Sequence, residues 1–235
     1  MGVSGGPYIV RDSSLVLEID PLDRNSVISG SNSVYNLTAI GGSGSWNIPQ
    51  STIYSSSYLG INNPGNNLSK ISTFTGSIFP QNSGSVSIWF NMPQYYQSNG
   101  APFFDDYDNA RDHFFLRHVS YATIQIAAQD VVNLSTYEAV FNDDSLQINK
   151  WYNIVFTYVT GNLSSFKYYI NGELKGTTTF LSSSWRPGDQ IVAYGNPNAN
   201  KIATGSYGPL SIYSRDLSQQ EIQQNFNALK SRFNL

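Results

Sequence analysis

Residues 150–180, KWYNIVFTYVTGNLSSFKYYINGELKGTTTF, constrain this chain more than any other stretch. Asn171-Gly172 stands between two alternating runs, and both residues tolerate the positive φ that a two-residue type I′ turn requires. Phe166, Tyr168 and Ile170 alternate into the turn. Tyr152, Ile154, Phe156 and Tyr158 alternate on the run before it. A period of two is the mark of a strand with one buried face, so antiparallel hairpins are expected to build the fold.

The same period recurs elsewhere. In Gly84–Met92, GSVSIWFNM, Val86, Ile88, Phe90 and Met92 share one face. Ser85, Ser87, Trp89 and Asn91 share the other, a polar face in which Trp89 packs under a loop or sits in a groove. HFFLRHVS, YATIQIAAQ, YEAVF, QIVAYG and PLSIY read as further strands, with Pro209 suited to the start or edge of the last one. Residues 25–70 are rich in Ser, Asn and Gly, with short apolar pieces at Tyr35–Ile40, Ile53–Tyr54 and Tyr58–Ile61 that predict short strands between long loops. The end differs. Ser218 and Glu221 form a capping box, Leu217 and Ile222 a hydrophobic staple, and Ile222, Phe226 and Leu229 one apolar stripe. Many short strands and one helix predict an all-β, two-sheet antiparallel sandwich with a short C-terminal helix. The domain is expected over residues 15–235, behind a flexible Gly/Ser-rich segment at 1–14.

Composition narrows the function. Charged residues make up 12% of the 235, the formal net charge is −3, and no Lys/Arg cluster occurs. A surface that tracks phosphates needs such a cluster, so nucleic acid is not an expected partner. There are no cysteines, which removes disulfides and thiolate zinc sites. No stretch is apolar enough for a membrane span, and the N-terminus lacks the pattern of a secretory signal. The Asn-Leu-Ser/Thr sequons at Asn36, Asn67, Asn133 and Asn162 therefore read as Asn-rich loops.

Trp151, Asn153, Val155 and Asn171-Gly172 resemble the hairpin of laminin-G-like, concanavalin-A-like sandwiches. Ile212, Tyr213, Arg215, Leu217, Ser218, Glu221 and Ile222 match the closing strand and helix start of that family, Ile-Tyr-Asn-Arg-x-Leu-Ser-x-x-Glu-Ile. The tail QQNFNALKSRFNL is similar to the ends of laminin-G-like proteins of tailed bacteriophages, and SLVLEIDPLDRNSV to their opening strand, with Asp20 on the family's aspartate. The resemblance covers most of the chain from Leu15 onward. YLGINNPGNN stands where the phage proteins carry an acidic motif. The resemblance implies a jelly-roll sandwich and a non-catalytic virion protein made in the host cytoplasm. It would decorate the outer capsid or belong to a fibre, with other virion proteins and host-surface glycans as partners. Homo-oligomers would suit capsid symmetry points. A stand-alone carbohydrate-binding lectin module and a β-glucanase are the alternatives.

The glucanase alternative rests on LVLEIDPLDR, which resembles the Glu-x-Asp-x-(x)-Glu strand of jelly-roll endo-β-glucanases. Retaining glycosidases need two carboxyls about 5–5.5 Å apart, and strand parity puts Glu18 and Asp20 on one face. Pro21 separates Asp23 from them. The expected arrangement has Leu15, Leu17 and Ile19 facing the core, Glu18 and Asp20 facing solvent or a loop, and no catalytic residues. Function is sought instead in loops. FFDDYDNARDH offers hard oxygen ligands, with Asp106 and Asp108 as candidate Ca²⁺ ligands and Asp105 and Asn109 as ligand contacts. Trp46 and Trp185, in Ser/Gly-rich stretches, are the candidate stacking platforms for sugar rings.

Overall fold

The structure is a computed structural model. It describes residues 8–21, 23, 25–26, 33–38, 43–47, 52–54, 59–61, 70–72, 80, 82–93, 101–108, 111–120, 123–129, 137–143, 145–160, 164–180, 190–193 and 205–235. The strands are β1 (Leu15–Ile19), β2 (Ser33–Tyr35), β3 (Ser43–Asn47), β4 (Thr52–Tyr54), β5 (Leu59–Ile61), β6 (Lys70–Ser72), β7 (Ser83–Asn91) and β8 (Ala101–Asp108). They continue with β9 (Arg111–Ser120), β10 (Thr123–Gln129), β11 (Tyr137–Asp143), β12 (Trp151–Val159), β13 (Ser164–Ile170), β14 (Glu173–Phe180), β15 (Gln190–Ala193) and β16 (Gly205–Tyr213). Helix α1 (Gln219–Leu229) and a 3₁₀ turn at Lys230–Phe233 close the chain.

Among the described residues every pairing is antiparallel, and the strands form two eight-stranded sheets. One runs β14-β13-β12-β7-β16-β5-β4, with β1 also on β16; the other runs β11-β10-β9-β8-β15-β6-β3-β2. This is the expected two-sheet antiparallel sandwich. The Asn171-Gly172 turn joins β13 to β14 with φ of 52° and 81°, the doubly positive geometry that selects these two residues. β16 is central: β7 lies along one side, while β5 takes its first half and β1 its second half on the other.

The first sheet is covered on both faces. Val86, Ile88 and Phe90 are buried on one side of β7. The opposite side, expected to be polar and open, lies under α1 and the 3₁₀ turn. Trp89 is only 1% exposed and stacks on Phe226 and Phe233, with ring centroids 5.6 Å and 4.4 Å away. Trp89 therefore fills the joint between sheet and helix instead of a loop or groove. Its polar neighbours are buried because they are hydrogen-bonded. Ser85 Oγ donates to the Arg215 carbonyl and accepts from the Leu217 amide, at 2.8 Å each, and Asn153 Nδ2 donates to Ser87 Oγ at 3.0 Å. Val155, Tyr169, Tyr213, Leu217 and Ile222 form a second apolar cluster. Leu15 joins it because a register shift between Leu15 and Leu17 turns Leu15 away from the side of Leu17.

The helix begins as the sequence predicts. Ser218 accepts from the Glu221 amide and Glu221 reaches back to the Ser218 amide. Pro209 departs from expectation. It lies inside β16, at the register shift between Tyr207 and Leu210, where a strand tolerates a residue without an N–H. Asp105–Asp108 and Arg111–Asp112, in a stretch expected as a loop, lie on paired strands: β8 and β9 pair Asp106 with Phe114 and Asp108 with Arg111. Asp is a poor strand former, but pairing to β9 and β15 on both sides overrides that preference. Among the described residues no helix is long and apolar enough to cross a membrane.

Candidate functional site

Within the N-terminal segment 1–14, expected to be flexible, residues 8–14 are described and form a strap over the end of the first sheet. The Val10 amide donates to Asn225 Oδ1 at 2.7 Å, Tyr213 Oη donates to the Val10 carbonyl at 3.0 Å, and Gln224 Nε2 donates to the Tyr8 carbonyl at 2.8 Å. Arg215 is the hub. Its guanidinium donates to both oxygens of Glu221 at 2.7 and 2.8 Å, to Asp12 Oδ2 at 2.8 Å and to Ser14 Oγ at 3.1 Å. The Arg and Glu of the helix-start motif thus tie the strap to the cap of α1.

The hub makes the strap acid-labile. The hydrogen bond from Ser14, then that from Arg215, holds the Asp12 carboxyl down to about 2; the Arg215 hydrogen bond does the same for Glu221, also to about 2. A carboxyl lowered by folding stabilises the fold above its ordinary pKa and loses that contribution as the pH falls through the folded value. The protection factor of the Val10 amide, its exchange rate relative to the intrinsic rate at each pH, is therefore expected to fall as the pH drops from about 4.5 to about 2, while that of β12 holds. Val10 protection that persists at the acid end would overturn this.

The acids at the end of β1 each have a structural partner. Asp20 accepts two hydrogen bonds from Arg232, at 2.8 and 2.9 Å. The Asp23 amide donates to the Asp20 carbonyl at 3.0 Å, closing the turn, and Asp23 Oδ1 accepts from the Asn25 amide at 2.8 Å. Of the two surroundings expected for Glu18, solvent or a loop, it has the second. It is 4% exposed, and its Oε1 accepts from Arg11 Nη2 at 2.6 Å. Its Oε2 is buried without a hydrogen-bond partner. Burial raises the Glu18 carboxyl above its ordinary range; Arg11 opposes that, and Asp20 and Asp23 add to it. The burial comes from the strap and from residues 36–38. Asn36 Oδ1 accepts from the Glu18 amide at 3.0 Å and Asn36 Nδ2 donates to the Val16 carbonyl at 2.8 Å. This sequon asparagine is a buried structural residue.

Two pockets flank Glu18. The larger, about 410 Å³, is lined by Arg11, Ser13, Leu15, Glu18, Leu37 and Thr38 among others. The smaller, about 150 Å³, includes Tyr8, Arg11, Glu18, Asp20, Pro209 and Leu229. Arg11 and Glu18 line both, so their ion pair is the partition between them. Sequence reading missed Arg11 because a single cation in a Gly/Ser-rich lead-in carries no local signal.

The sites expected from sequence lie elsewhere. Trp46 is on β3, not in a loop, opposite Ile71 of β6. Asp105, Asp106 and Asp108 are on β8 of the same sheet. Three strand spacings separate β3 from β8, about 14 Å, so one small ring does not bridge them. Asn109 and Trp185 fall outside the described residues, as do the side chains of Trp46 and the three aspartates. Among the described residues no His, Cys, Asp or Glu set gathers as a metal site.

The family model for the Concanavalin A-like lectin/glucanases superfamily, Laminin_G_3, matches residues 64–223. The chain belongs to this family. Solved structures similar to this chain include botulinum neurotoxin binding domains. The serotype D binding domain is 19% identical with a TM-score of 0.66, and the match covers 91% of this chain and 51% of that one. The type G receptor binding domain is 18% identical with a TM-score of 0.64, covering 91% and 51%. A serotype D ligand binding domain in complex with N-acetylneuraminic acid is 16% identical with a TM-score of 0.64, covering 91% and 50%. The chain thus spans about half of each neighbour, and the likeness shows the lectin/glucanase fold. No curated protein matches the sequence.

Proposed function

We propose that this lectin-like sandwich is a non-catalytic glycan-binding module. The observation that carries the reading is the fate of the β1 acids within a lectin/glucanase fold. Asp20 is clamped by Arg232, Asp23 is held in the turn, and Glu18 is paired with Arg11 under the strap. Each of these carboxyls is engaged by a donor of the protein itself. Support for glycans as ligands comes from the superfamily and from the sialic acid complex of a structural neighbour. Trp46, Trp185, Asp105 and Asn109 remain the proposed contacts, and Asp106 and Asp108 the proposed Ca²⁺ ligands. A glycan array read with and without Ca²⁺ tests this. Binding that falls on replacing Asp106 and Asp108 is expected; a blank array in both conditions would defeat the reading.

The setting we propose is the surface of a phage virion, as a capsid decoration or fibre protein. It rests on the likeness of the tail and the opening strand to those of phage laminin-G-like proteins. Antibodies to the chain should label purified particles.

A further inference from the structure

The Arg11–Glu18 pair has the form of a plugged binding site. Glu18 is 4% exposed, yet its Oε2 meets no donor. A buried carboxylate oxygen without a partner is costly, so its persistence asks for a donor that arrives from outside. The pockets of about 410 and 150 Å³ have Glu18 in common and are kept apart by Arg11, so the residue sits at the wall between them. The larger alone is within the range of about 300–1,000 Å³ typical of small-molecule sites. The partition is also light. The Arg11 side chain is 57% exposed, and among the described residues its guanidinium makes a single hydrogen bond, the one to Glu18. Turning it outward joins the two pockets and frees Oε1, the oxygen that Arg11 holds.

The charges select the ligand. With Arg11 turned away, Glu18 is left with Asp20 and Asp23 adding negative potential, and the nearby cations are engaged, Arg232 on Asp20 and Arg215 on Asp12 and Glu221. The protein already fills the position with a guanidinium. Leu15 and Leu37 on one side and Pro209 and Leu229 on the other supply apolar walls, while Ser13 and Thr38 supply hydroxyls near the larger mouth. The geometry points to a site for a small cationic ligand, a primary ammonium or guanidinium on a compact body, that displaces Arg11 from Glu18. Arg11 is its built-in competitor. This inference does not depend on the glycan reading.

Opposite effects of two substitutions test it. Agmatine, spermidine and glucosamine are titrated into the full chain at moderate salt, with glucose as the neutral control, and the amide resonances of Ser13, Leu37 and Thr38 are followed. At least one cationic probe should shift them and glucose should not; glucosamine against agmatine separates an amino-sugar source from an alkylamine one. Arg11→Ala, on the exposed strap, should tighten binding at least ten-fold by removing the competitor. Glu18→Gln should lose it. A Glu18 that is merely structural would give no gain in Arg11→Ala, so the test survives even if Glu18→Gln fails to fold. No shift with any cation, equal binding of glucose, or an Arg11→Ala variant that binds no better would each overturn the site.

Discussion

Replacing Trp89 by alanine is expected to lower stability by about 3–5 kcal/mol, the usual cost of truncating a buried large aromatic. For a chain of this length that is a fall in Tm of roughly 6–20 °C. The residue does more than fill volume. Its ring lies within 4.4 Å of Phe233 and 5.6 Å of Phe226, and Trp151 touches Phe233 from another side, also at 4.4 Å between centroids. Removing it leaves α1 and the 3₁₀ turn without their aromatic seat on β7. Loss of near-ultraviolet dichroism should precede loss of the far-ultraviolet β signal on heating. A Tm within about 3 °C of wild type would show that the helix docks without this stack.

The second large effect is expected at Gly208. A Cβ there would lie 2.7 Å from Phe233 Cζ and 2.8 Å from Trp89 Cβ. Neither atom has room to retreat, because both belong to the packed joint. Gly208→Ala should therefore cost about 1–3 kcal/mol through overpacking, measured by denaturant unfolding. Phe233→Ala opens the closer side, so in the double variant the Gly208→Ala penalty should shrink by about 0.5 kcal/mol or more. Strict additivity would sink the steric explanation.

These two positions also mark where the sequence was readable. Alternation on β7 named Val86, Ile88 and Phe90 as core, and the Asn-Gly pair placed the hairpin, because both are local rules of strand and turn. The other face of β7 was misread since Ser85 and Ser87 are polar, and polarity alone does not say who supplies the hydrogen bonds. Here the partner of Ser85 is a segment 130 residues later. Glu18 was read as facing solvent or a loop, and its burial was not legible for the same reason. Its burial depends on a strap before it and on Asn36 after it, and the matching clamp on Asp20 comes from 212 residues away. Asp105–Asp108 failed for a different reason: propensity argued loop, and pairing on both edges made a strand. The capping box of α1 was legible because every group in it lies within four consecutive residues.

The placement of β16 has a consequence for how the chain is made. This strand lies in the middle of its sheet, with β7 on one side and β5 and β1 sharing the other. It is also the last strand in chain order. During synthesis β1 therefore emerges long before the neighbour it pairs with, and β7 waits with one edge open. Such edges invite pairing with other chains until they are covered. The sheet cannot zip up outward from its first hairpin; it closes when a late insert arrives between strands already in place. Contacts of this sequence range slow folding, so the nascent chain is expected to depend on holding those edges apart until translation delivers residues 205–213.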